Sequence, residues 1–164
     1  MTQTFVRERP LLENAKRKGK VTVDDAVSII GRLRNGAMAS LEATRFAPGR
    51  KNALTIEISG SKGSLVFDLE QMNRLQFYNP ADPENRRGFR EIMVTESTHP
   101  YIGSWWPPGH IIGYEHSFVH LIADFVRAVV ARKSVPPTFA DGLANQRVLA
   151  AVQKSARSKR WVGL

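Results

Sequence analysis

Apolar residues change their spacing once along this chain, and that switch constrains the fold more than any other feature. Leu54, Ile56 and Ile58 alternate with Thr55, Glu57 and Ser59, and Leu65, Phe67 and Leu69 repeat the pattern. Period two marks half-buried β-strands. After Tyr114 the spacing becomes three and four: Phe118, Leu121, Ile122, Phe125, Val126 and Val129 form one stripe of an α-helix. Strands come first and helices last, which predicts an α+β fold: a mostly antiparallel open sheet with two C-terminal helices on one face. The 164 residues suit a single domain spanning 1–164.

Local signals place the elements. Thr2 to Arg9 reads as a short strand ended by Pro10, and Leu11 to Lys20 as a charged loop. Val27 to Arg34 and Ala37 to Phe46 flank Asn35-Gly36, the strongest two-residue hairpin signal. A two-residue turn sets Leu33 opposite Met38, Ile29 opposite Glu42 and Ile30 opposite Leu41, so both hairpin faces carry apolar groups. Gly60 to Gly63 turns the chain between two strands. Weaker strands lie near Arg74 to Tyr78 and Phe89 to Thr95, and a loop rich in Pro, Gly and aromatics fills 97–113. The helices run from Tyr114 to Lys133 and from about Ala140 to Ser158, with Thr138 or Asp141 capping the second. Apolar residues on both faces of the hairpin predict a homo-oligomer through the open sheet face; a third element of the same chain covering that face is the alternative.

Composition narrows the function. There is no cysteine, which excludes disulfides, thiolate metal sites and a cysteine nucleophile. No apolar run approaches the ~20 residues of a membrane span, and Met1 to Arg9 lacks a signal peptide's apolar core. A cytoplasmic protein is expected. The formal charge is +9 and the isoelectric point is near 10.4. Residues 1–20 hold six basic residues against Glu8 and Glu13, and residues 147–164 hold five and no acid, which leaves the segment between them neutral. Charge confined to two ends is not the basic stripe of a nucleic-acid reader.

The chemistry-bearing residues cluster in the loop. All four histidines lie between 99 and 120, and His99-Pro100-Tyr101-Ile102-Gly103-Ser104-Trp105-Trp106-Pro107-Pro108-Gly109-His110 joins two of them to paired tryptophans. Flat apolar walls with hydrogen-bonding tips suit a sugar or polyol ring. Plugging a sheet edge or an interface is the competing role for Trp105 and Trp106. Arg45 to Asn52 offers three cations and an amide to a phosphate or polyol, with a solvated loop as the competing role. His116 and His120 share a helix side with Asp124 and Arg127, opposite the apolar stripe, which places them in solvent or an interface. A zinc pair is the alternative, but Glu115 precedes the histidines where a metalloprotease helix needs it between them. No G-x-G-x-x-G, Walker A or G-x-S-x-G occurs, and the glycines at 60 and 63 join strands with no helix behind them.

Taken in order, Val23-Asp24-Asp25, the Asn35-Gly36 hairpin, Leu41-Glu42-Ala43-Thr44-Arg45, Ile56 to Leu65, Pro108-Gly109-His110 with Glu115-His116-Ser117-Phe118, and Pro137 to Gly142 resemble the C-terminal domain of the Gfo/Idh/MocA oxidoreductases, the relatives of glucose–fructose oxidoreductase and inositol dehydrogenase. The resemblance covers nearly the whole chain. It implies a two-domain dehydrogenase acting on sugars or polyols with NAD or NADP. In that family a Rossmann half holds the nucleotide and a Glu-Lys-Pro lysine that takes the hydroxyl proton, and a D-x-x-x-H helix supplies the other catalytic groups. The C-terminal sheet there forms the substrate-side wall and the oligomer interface. None of those catalytic motifs is in this sequence, so no catalytic, cofactor-binding or metal residue carries over. The substrate-side candidates are His110, Trp105, Arg45 and His99, then Tyr101 and Trp106. The expectation is a truncated, substrate-side domain, inactive alone and binding no nucleotide by itself. The alternative is a stand-alone dimerising interaction module without catalysis.

Overall fold

A computed structural model describes residues 1–164. The strands are β1 (Thr2–Gln3), β2 (Glu8–Pro10), β3 (Lys18–Lys20), β4 (Ala26–Arg32), β5 (Met38–Thr44), β6 (Thr55–Gly60), β7 (Gly63–Asp68), β8 (Arg74–Tyr78) and β9 (Arg90–Met93). Helices α1 (Tyr114–Ala131) and α2 (Phe139–Ser158) follow. The fold is α+β, as the switch in period requires, and every strand pair is antiparallel. The strands are divided among three sheets, ordered β1-β4-β5, β2-β3 and β6-β7-β8-β9. Two compact units result, one made of residues 1–49 with 136–164 and the other of 50–135.

In the first unit, the segment expected as one strand from Thr2 to Arg9 is two. β1 pairs with β4, and β2 pairs with β3 inside the stretch expected to be a charged loop. Pro10 does end a strand, as the last residue of β2, opposite Lys18. The buried Asp25 carboxylate holds the junction between β1 and β2. It accepts the Phe5 and Val6 amides at 2.7 and 2.9 Å and Arg9 Nη2 at 3.2 Å. Those two amides, with Arg9 behind them, hold its pKa below the ordinary value against the cost of burial.

The β4–β5 register differs from the expected one by a residue. Ile29 faces Leu41, Ile30 faces Ser40 and Arg32 faces Met38. The turn is longer than two residues: Gly36 N–H donates to Leu33 O and Leu33 N–H to Ala37 O, with Gly36 at φ 89°. This three-residue loop, a turn followed by a left-handed glycine, is the next commonest hairpin connection. A one-residue slip exchanges faces. Val27, Ile29, Gly31, Ala39, Leu41 and Ala43 now share one face, while Ile30 and Met38 lie among Ser28, Arg32, Ser40 and Glu42 on the other. In α2, Thr138 Oγ1 accepts from Asp141 N and Asp141 Oδ2 accepts from Thr138 N, so the two predicted caps act together.

In the second unit, β6 to β9 form a meander whose strands place Ile56, Phe67, Leu75 and Ile92 in one row, with Ile58, Leu65 and Phe77 beside them. Gly63 is required where it stands: its φ is 145°, and a Cβ there would lie 2.6 Å from Tyr78 O on β8. The loop after β9 returns to this unit at two buried or half-buried points described below.

Candidate functional site

The C-terminal end of the loop from Ser97 to Gly113 is fixed by side chains that replace missing backbone partners. Thr95, fully buried after β9, accepts from Gly109 N–H at 3.2 Å. Asn73, just before β8, donates from Nδ2 to Ile112 O at 2.7 Å and accepts from Ile112 N–H at 2.9 Å. The amide side chain thus imitates a strand neighbour for one residue. Ahead of these anchors Ile102 is buried, in a short 3-10 turn entered through Tyr101 at φ 68°.

A third anchor lies on α1. Trp105 Nε1–H donates to His120 Nε2 at 2.7 Å, and Tyr101 Oη–H donates to Asp124 Oδ2 at 2.6 Å. The Tyr101 ring stacks on His120 with centroids 4.4 Å apart and planes 14° from parallel, and Trp105 meets the His116 ring edge-on at 4.4 Å. Arg127 Nη1 donates to Asp124 Oδ1 at 3.0 Å. The Tyr101 hydroxyl lowers the Asp124 pKa, with Arg127 adding to the effect, and Asp124 raises the Tyr101 pKa in return. His116, His120 and Asp124 were expected in solvent or an interface. Instead they receive the loop of their own chain, while Phe118, Ile122 and Phe125 on the stripe are more than half exposed.

Hydrogen bonding fixes the imidazoles. An indole only donates, so His120 Nε2 is an acceptor and its proton sits on Nδ1. His116 Nδ1 accepts from Gly113 N–H at 3.0 Å, capping α1 and placing its proton on Nε2. Both lone pairs are therefore engaged, and these two rings do not offer the free pair that a zinc site needs. His110 Nδ1 lies 2.9 Å from Pro107 O and must donate to it, leaving Nε2 as an acceptor.

The structure distributes the six candidates unequally. Tyr101 and Trp105 are joined on α1. Trp106 and His110 form a second pair, ring centroids 6.3 Å apart, and both are exposed. His99 turns inward, and its Nδ1 is the one buried side-chain polar atom without a hydrogen-bond partner. Arg45 follows β5 in the first unit, exposed, its backbone N–H donating to Asp25 O. Sequence reasoning missed Asn73 and Thr95, whose roles come from long-range pairing and leave no local signal. It had Asp124 on the right helix side but without its partner.

The residues present do not make a dinucleotide site. An antiparallel meander has no strand–glycine-loop–helix crossover. Both helix N-termini, where a pyrophosphate would sit, carry the chain's own carboxylates: Glu115 folds over Gly113 so closely that a Cβ there would meet its Oε2 at 2.6 Å, and Asp141 occupies the start of α2. No helix is long and apolar enough to cross a membrane.

With this architecture, the chain belongs to the Gfo/Idh/MocA oxidoreductase family: the model of the family's C-terminal alpha/beta domain matches residues 2–164. Among particular relatives, it is 39% identical over 171 residues to levoglucosan dehydrogenase of Pseudarthrobacter phenanthrenivorans, covering 97% of this chain and 44% of that protein. It also superposes on the crystal structure of an oxidoreductase domain protein from Kribbella flavida (53% identity, TM-score 0.92, 98% of this chain and 42% of that one). A levoglucosan dehydrogenase complex with NADH and L-sorbose is similar at 40% identity and TM-score 0.93, over 99% of this chain and 43% of that one. The chain thus spans less than half the length of the proteins it matches.

Proposed function

We propose that this chain is the substrate-side domain of a cytoplasmic, nicotinamide-dependent sugar or polyol dehydrogenase, and that alone it transfers no hydride. The observation that carries the reading is its 39% identity, across nearly its whole length, to a levoglucosan dehydrogenase. The anchored aromatic loop supports it, since indole and imidazole groups suit the C–H faces and hydroxyls of a sugar ring. Inactivity alone is supported by the antiparallel topology and by the carboxylates at both helix N-termini. NAD or NADP would be held by a nucleotide-binding half that these residues do not form.

A domain exchange tests this. Residues 2–164 are placed in the levoglucosan dehydrogenase of Pseudarthrobacter in the position of their counterpart. The chimera is expected to bind NADH and to oxidise a sugar or polyol, whereas the isolated chain reduces no NAD⁺ with the same substrates. A chimera that folds and binds NADH but oxidises none of a sugar and polyol panel would sink the substrate class. Turnover by the isolated chain would sink its assignment as half of a site.

We further propose a homo-oligomer through the open face of the β4–β5 hairpin, where Ile30 and Met38 are 62 and 78% exposed.

A further inference from the structure

We propose that residues 99–112 form a preorganised recognition loop in which Trp106 and His110 contact the ligand, while His120 and Asp124 of α1 act as positioning residues through Trp105 and Tyr101. The ligand class, a ring with an apolar face and hydroxyls, rests on the function proposed above; the internal division of labour does not.

The two tryptophans are adjacent yet chemically opposite. Trp105 is half-buried and spends its only side-chain donor on His120. Trp106 is 74% exposed, and its indole N–H has no partner within the chain. An exposed indole is a large apolar surface left in water, and its N–H is free for an incoming hydroxyl. Tyr101 is committed in the same way as Trp105: its hydroxyl proton goes to Asp124 and one ring face to His120. His110 is exposed with Nδ1–H tied to Pro107 O, so its Nε2 is a fixed acceptor beside the free indole. One free donor, one free acceptor and one flat face lie within five residues.

Such a site needs little reordering on binding because its support is already rigid. Thr95 and Asn73 hold Gly109 and Ile112, on the C-terminal side of the pair. His120 and Asp124 hold Trp105 and Tyr101, on the N-terminal side. Removing one side frees the tip to wander, and affinity falls because binding must then order it. The His120 bond is also conditional: a doubly protonated imidazole has no lone pair for the indole N–H. The groups facing His120 are Tyr101 and Trp105 from the loop, with His116 one turn before it and Asp124, paired to Arg127, one turn after it on α1.

The chain itself, with ¹⁵N-labelled indoles, provides the test, since it has only three tryptophans. The Trp105 indole proton should exchange with water on the order of tenfold more slowly than those of Trp106 and Trp161. His120→Phe should abolish the protection and speed amide exchange across 100–111 with helicity unchanged; His120→Gln, whose amide oxygen can accept, should restore protection. Levoglucosan added at millimolar concentrations should move the Trp106 indole and leave Trp105 in place. Equal exchange of all three indoles, or no rescue by glutamine, overturns the positioning role. A sugar response at Trp105 first, or at neither, overturns the assignment of the contact pair. The domain exchange succeeding while these signals fail would reject the loop's division of labour and leave the sugar dehydrogenase reading standing.

Discussion

Asp25 is a charged side chain almost without solvent contact, and the start of the chain is organised around it. Its pKa is lowered, chiefly by the Val6 and Phe5 amides and further by Arg9. The sign follows from linkage: a depressed carboxylate contributes stability above its unfolded pKa and loses it as pH falls through the folded value. The window therefore lies below the ordinary 3.8. Acidification through that range should speed hydrogen exchange of the Phe5 and Val6 amides before the β6–β9 meander responds. Asp25→Asn should show fast exchange at those amides already at pH 7, with the acid step gone. Unchanged protection in the variant would mean the carboxylate holds nothing. Nothing in Val23-Asp24-Asp25 distinguished the buried aspartate from its neighbour, because the amides it binds are about twenty residues away. Gly63 is a second decisive position, and there the sequence did carry a signal. Gly63→Ala should cost about 2 kcal/mol in chemical denaturation, since it meets both a forbidden φ and the Tyr78 carbonyl. Gly36 has open space around its missing Cβ but a φ of 89°, so Gly36→Ala should cost about 1 kcal/mol through the backbone alone, and Gly36→Asn less, because asparagine tolerates the left-handed region better.

At the scale of elements, period and capping were legible because they are local. The α2 boundary came within a residue of its expected start, as Thr138 and Asp141 both announce it. Thr138→Ala should remove about 1 kcal/mol, read as an earlier loss of helical circular dichroism on heating. The hairpin shows where local reading fails. Asn35-Gly36 fits a two-residue turn or the last two positions of a three-residue loop, since both place glycine at positive φ. The second arrangement gathers Val27, Ile29, Leu41 and Ala43 on one face, and that apolar gain decides the register. The loop 97–113 was legible as a site in composition only. Periodicity fixed which side of α1 carries His116, His120 and Asp124, but it could not say that Tyr101 and Trp105 would bond there. That depends on the path of the backbone between Thr95 and Gly113, and Asn73, a strand away, sets the end of that path.

For the whole molecule, the fold changes the meaning of the charge. Both basic ends fall in one unit: residues 1–49 with 136–164 hold fourteen Lys and Arg against six Asp and Glu, while 50–135 hold ten against nine. Copies that meet through the β4–β5 hairpin therefore bring together two bodies of the same sign. Long-range repulsion between them is screened within about 8 Å at physiological salt, whereas the contact of Ile30 and Met38 is apolar and not weakened by salt. The proposed dimer should accordingly tighten as salt rises from about 0.01 to 0.5 M, the range over which the screening length contracts below the size of the interface. Light scattering on a sizing column reads this directly as a molar mass that climbs with salt at fixed protein concentration. Ile30→Arg with Met38→Glu should hold the mass at that of one chain throughout, with an unchanged circular dichroism spectrum. A wild-type mass that falls with salt would point to paired charges in place of an apolar face, and a mass insensitive to the double substitution would put the contact elsewhere on the molecule.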